Sequence, residues 1–232
     1  MMPSPTLIRE DAQMSHKQEK VSDQMITLIQ VIFGFVLAQA FAGYSVVVLS
    51  PWAHVVAFAA LVAIFITTIL SWIDWHTTMV EMPYKLYQAF WPRLAEEVRV
   101  LLDLLVVSIY AFAILSIDPL TQHTDGDATK YVWSYAAVFA AYVISGLLRR
   151  FTYPAPSAFH GHPASHTWLL VGFTVLYVVL ALAYSGLRHI DHSLLTALNL
   201  LTIATALALM VAFRVIHAVQ RPLPKATTPA GS

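Results

Sequence analysis

The chain has 232 residues, 58% of them apolar and only 11% charged, with thirteen Lys+Arg balancing thirteen Asp+Glu. A soluble domain averages roughly 45–50% apolar and about 25% charged residues, so soluble enzyme folds are excluded, and a mean hydropathy of +0.67 agrees. The even charge balance gives no footprint for nucleic acid, and the absence of cysteine removes disulfides, thiolate metal sites and cysteine nucleophiles.

Residues 1–24 carry seven charges and no long apolar run, which marks a cytoplasmic segment rather than a signal peptide. From Gln24 to Ile73 there is no Asp, Glu, Lys or Arg. A hydrocarbon core about 30 Å thick takes about 20 helical residues, so this stretch crosses twice. Ser50-Pro51 divides it, because Ser can cap a helix and Pro fits its first turn. The expectation is a tight hairpin of Met25–Leu49 and Pro51–Ile73. Asp74–Glu97 then reads as a cytoplasmic connection, its aromatics (Trp75, Tyr84, Tyr87, Phe90, Trp91) set among charges as in an interfacial or extended helix.

The third span is Val98–Ile117, with an earlier start at Pro92 open and Glu96 and Glu97 in its early turns. Tyr131–Leu148, His166–Leu187 and Leu194–His217 complete six. The breaks between them hold Asp118-Pro119, Asp125-Gly126-Asp127 and Pro154-Ala155-Pro156. The sequence thus predicts an all-α polytopic membrane protein: a six-helix domain over 25–218 and a disordered cytoplasmic tail over 219–232. With an even number of spans, one side receives eleven Lys/Arg and the other only Lys130 and Arg188. Basic loops stay cytoplasmic, so both termini are expected inside, in a plasma or bacterial inner membrane.

Asp103 is the one carboxylate inside a predicted span, and an ionisable group there is a functional candidate because burying it in lipid is costly. Arg99, four residues earlier, and Arg214 at a similar depth make it an ion pair or, alternatively, a coupling carboxylate. Trp72-Ile73-Asp74-Trp75-His76 closes the second span. Its tryptophans suit an interfacial belt, and Asp74 and His76 are candidate ligand or pH contacts. The histidines of His160-Gly161-His162 to His166 and of His189 and His192 match no zinc spacing, and His54, His76 and His217 lie too near span ends for a haem. No cofactor is expected.

Gln30, Gly34, Leu37 and Phe41 share one face of the first helix, at spacings of four, three and four. Asn199 and Thr202 belong to a polar stripe on the sixth. Such stripes either glue helices together or line a pore. Voltage-sensor, selectivity-filter, nucleotide-binding and hydrolase motifs are absent from the sequence, and with them any sign of an enzyme. Val31-Ile32-Phe33-Gly34-Phe35 and Trp72–His76 resemble in placement segments of a lysosomal and bacterial family of six-span potassium channels. That family's Phe-Ser-Asp signature is replaced here by Leu28-Ile29-Gln30, so membership is not assigned.

The functional expectation is a homo-oligomeric ion-conducting pore lined mainly by the first helix. Two alternatives stand beside it: a small-solute or proton-coupled transporter using Asp103, and a non-catalytic subunit docking a cytoplasmic protein partner through Asp74–Glu97. The expected partners are the lipid bilayer and further copies of the chain.

Overall fold

The computed structural model describes residues 5–81, 84, 90–121, 126–152, 163–188 and 192–220, with side chains at 20, 22–79, 84, 90–121, 126–148, 167–188 and 194–219. All regular structure among them is helical: α1 (Pro5–Gly43), α2 (Ser45–Leu49), α3 (Val55–Glu81), α4 (Phe90–Leu115), α5 (Asp118–Thr121), α6 (Thr129–Thr152), α7 (Pro163–Leu187) and α8 (His192–Gln220). Six of these are long and apolar enough to cross a membrane. The protein is therefore an integral, multi-pass membrane protein, since only helices or closed barrels satisfy the backbone in lipid.

One boundary of the first span differs from expectation. The first helix runs unbroken from Pro5, and the part of it apolar enough to span begins at Ser22, close to the expected Met25. It ends early, at Gly43 rather than Leu49. Tyr44 leaves helical geometry (φ −112°, ψ 27°), and its buried hydroxyl lies 2.9 Å from the Ile114 carbonyl and 2.8 Å from Asp118 Oδ1. A single proton serves those two acceptors in turn. The break therefore aims one tyrosine into the bundle, and the short α2 and the turn at 50–54 lead into α3. The tail beyond Gln220 lies outside the described residues.

α6 is the central helix. It lies against α7 and α4 and touches α8, while α8 closes on α3 and α7, and α1 leans on α4 and the edge of α3. Lipid tails are as apolar as leucine, so what holds such helices together is close packing and interhelical hydrogen bonds. Ala57, Ala60 and Ala63 bring α3 close to its neighbours. Phe139, Phe173, Tyr177 and Phe213 interlock as stacked and edge-on rings 4.8–6.1 Å apart between α6, α7 and α8. α1 is the least buried of the six spans.

The aromatic belt is not where the sequence suggested. Trp75 is only 8% exposed and points inward, whereas Trp52 (91%) marks one end of the bundle and Trp91 (75%) and Trp168 (73%) mark the other.

Candidate functional site

Polar side chains inside the bundle collect in three layers, and the outermost lies where α3, α4 and α8 meet. There the Arg214 guanidinium stands 2.7 Å from Asp74 Oδ2, and His217 Nδ1 is 3.3 Å from Asp74 Oδ1. Arg214 and His217 are three residues apart on α8 and so share a face. On α4, Arg99 pairs with Glu96 at 3.4 Å, donates to Met79 Sδ at 3.5 Å and lies over the Tyr84 ring, 4.9 Å from its centre. Arg99, Glu96 and Asp103 are all buried.

Asp103 departs from the expected arginine pair. Its Oδ2 accepts hydrogen bonds from Trp75 Nε1 at 3.1 Å and Tyr84 Oη at 2.7 Å. Among the described residues no arginine nitrogen comes within 4 Å of it, because Arg99 turns to Glu96 and Arg214 to Asp74. An indole N–H and a phenol O–H are neutral donors, so they enter a dry interior at far less desolvation cost than a second guanidinium. Burial first, and the Asp103 charge second, push the Tyr84 hydroxyl well above its ordinary range, so it stays protonated and keeps donating.

The middle layer is a column of hydroxyls along the seam of α3 and α6. Ser71 and Tyr142 share a hydrogen bond. Deeper in the bundle, Thr67 Oγ1 lies 3.1 Å from Tyr135 Oη, which lies 3.1 Å from Tyr131 Oη. Ser71, Thr67, Tyr131 and Tyr135 are at most 2% exposed. Tyr110 of α4 is equally buried, and its hydroxyl finds no well-aligned hydrogen-bond partner among the described residues.

The third layer closes the opposite end. Tyr184 Oη donates to Asn199 Oδ1 at 2.6 Å and accepts from the Ala128 amide at 2.8 Å, while Asn199 Nδ2 donates to the Gly126 carbonyl at 2.8 Å. Beside it Arg188 Nη1 donates to Asp127 Oδ2 at 2.8 Å. Burial would raise the Asp127 carboxyl, but hydrogen bonds from Thr129 and the Arg188 charge outweigh it and hold it below its ordinary value. Gly126 is required at this turn: a Cβ there would stand 2.9 Å from both Leu120 Cα and the Pro119 carbonyl, backbone atoms with no room to yield.

Within a single chain the residues expected to line a pore lie apart, on α1 and on α8. Gln30 Nε2 shares a hydrogen bond with His76 Nδ1 at 3.3 Å, and the Phe41 ring meets Phe65 edge-on at 4.8 Å, so this stripe is used in the seam between α1 and α3. Leu37 lies half-buried between them, and Gly34 is exposed. Asn199 and Thr202 are buried on α8, which packs on α3, α6 and α7, and Asn199 is spent on the closing layer. Asp74 is held by Arg214 and His217, and His76 stacks on Trp72 at 5.7 Å. Both histidine clusters fall outside the described side chains.

The hydroxyl column was overlooked in the sequence, yet it carries a signal. Thr67, Ser71 and Thr78 on α3 repeat at spacings of four and seven, and so do Tyr131, Tyr135 and Tyr142 on α6. Each set is one helix face. No family model, curated protein or solved structure matches the chain.

Proposed function

We propose that the protein carries protons across the bilayer, coupled to a small solute, with Asp103 as the carboxylate that binds the proton. One observation supports this above the others: Asp103 is buried in the outermost polar layer and, among the described residues, is held by neutral donors. A carboxylate clamped by arginine, as Asp74 and Glu96 are, gives up an ion pair when it is protonated. Asp103 has only two hydrogen bonds from neutral donors, and no ion pair among the described residues, to rearrange. The excess of Lys and Arg on one set of loops supports an orientation with both termini cytoplasmic. The proposed location is a plasma or bacterial inner membrane, and the proposed activity is transport rather than catalysis.

The test is proton uptake into proteoliposomes that hold a pH-sensitive dye, driven by an imposed potential and repeated with candidate solutes. Wild type should acidify the lumen, and Asp103→Asn should reduce the rate to that of empty vesicles while keeping the wild-type melting temperature within a few degrees. Asp103→Asn that transports normally removes the proposal.

A homo-oligomeric pore lined by α1 is the second reading. It is favoured by the low burial of that helix, which leaves Gly34, Ala38 and Ala42 exposed along one side. Single-channel current steps in a planar bilayer would establish it over the carrier.

A further inference from the structure

We infer that the buried hydroxyls between α3 and α6 form the inner part of the path along which the proton moves, an assignment that rests on the transport reading above. Three facts carry it. The column follows the bundle axis: from Asp74 to Thr67 along α3, and from Tyr135 to Tyr131 along α6, the helical rise adds up to roughly 16 Å, about half the hydrocarbon thickness. Its members stand at transfer distance, with Thr67, Tyr135 and Tyr131 at successive separations of 3.1 Å. Either oxygen of each pair can donate, while Thr67 also donates to the Ile64 carbonyl at 2.9 Å. Finally, the column has an unspent member. The Tyr110 hydroxyl is buried with no well-aligned hydrogen bond among the described residues, and the groups around it are Tyr142, Ser71, Tyr135 and the Arg214 guanidinium. The hydroxyls among these groups belong to both the Ser71–Tyr142 pair and the Thr67–Tyr135–Tyr131 triplet, and the inferred path assigns Tyr110 the bridge between them.

Buried polar atoms in a membrane interior are ordinarily paired, and an orphan hydroxyl carries a cost that its surroundings must justify. A rotor between two hydrogen-bonded groups is such a justification. In each step an oxygen accepts a proton from one side while its own proton passes to the next oxygen. The hydroxyls then rotate back, so one proton has moved and every hydroxyl is unchanged. No charged side chain is needed below Asp74, which fits an interior where ionised groups are expensive.

Tyr135→Phe is the decisive change, because it deletes the central hydroxyl and keeps the ring that stacks on Tyr177. Tyr177→Phe is the control: its hydroxyl donates to the Ala206 carbonyl at 2.6 Å, off the column. In the proteoliposome assay Tyr135→Phe should lower proton flux about tenfold with a melting temperature no lower than that of Tyr177→Phe, and Tyr177→Phe should keep wild-type flux. Thr67→Val gives a second cut in the column if Tyr135→Phe does not fold. Full flux in Tyr135→Phe or Thr67→Val, with Asp103→Asn inactive, overturns the column and leaves the transport proposal standing. Absence of flux in wild type overturns both.

Discussion

Replacing Asn199 by leucine separates a structural role for the closing layer from a pore-lining one. Leucine matches the shape of asparagine, so no cavity is opened, and the change removes two buried hydrogen bonds, to Tyr184 at 2.6 Å and to Gly126 at 2.8 Å. Each is worth about 1 kcal/mol net, and the Gly126 carbonyl left unpaired adds about 1–3 kcal/mol. Interhelical hydrogen bonds in bilayers average about 0.6 kcal/mol, which sets the low end of the range. The expected loss is therefore about 2–5 kcal/mol, read as a shifted midpoint when the protein is unfolded by SDS in mixed micelles. Tyr184→Phe alone should cost about 1 kcal/mol, and the double variant less than the sum, because the two changes share one bond. Flux per folded molecule should not change. A loss below about 0.6 kcal/mol, or strict additivity with Tyr184→Phe, refutes the reasoning. Altered conductance at full stability would restore Asn199 to a pore wall.

Gly126→Ala forces a Cβ against immovable backbone and should destabilise by about 1–3 kcal/mol in the same titration. Asp74→Asn breaks a part-buried pair with Arg214, between the exposed and fully buried cases, so a loss of about 1–3 kcal/mol is expected in the thermal melt. Because the Asp127 carboxyl is depressed in the folded protein, its contribution is present above the unfolded value of about 4 and fades as pH falls through the lower folded one. Melting temperatures from pH 5 to pH 2 should fall more steeply in wild type than in Asp127→Asn. Single cysteines at Lys20 and Lys130, in a chain that has none of its own, should resist and accept an impermeant thiol reagent respectively in intact cells. The reverse pattern overturns the proposed orientation.

Six apolar runs with basic residues on alternate loops were readable because span length and composition are set by the bilayer and not by tertiary contacts. Helix ends were less so. The break at Tyr44 depends on acceptors at Ile114 and Asp118, some seventy residues away, and no local rule encodes them. The extension of α1 back to Pro5 lies in a segment whose charges mark it as outside the bilayer without saying that it is helical. At the site Asp103 is buried, and helical spacing and depth suggest Arg99 or Arg214 as its partner. Spacing states who is near on one helix, and Trp75 and Tyr84 arrive from elsewhere. The tyrosines were passed over because an aromatic in an apolar span reads as core. They are core as rings, and their hydroxyls show only when α3 and α6 are set side by side.

The peripheral position of α1 has a consequence for biogenesis. Its partner α4 ends at Leu115, so it is completed some seventy residues after α1 leaves the ribosome, a delay of roughly 4–14 s at common synthesis rates of about 5–20 residues per second. Throughout that interval α1 must be content in lipid, with only the end of α3 to receive Gln30. The distribution of charge follows this order of arrival: Gln24 to Ile73 carries none, whereas α4 brings Glu96, Arg99 and Asp103 into a membrane where Trp75 and Met79 are already waiting. Moving a charge such as Asp103 onto the middle of α1 would therefore cost the cell insertion efficiency before it cost the finished protein any stability.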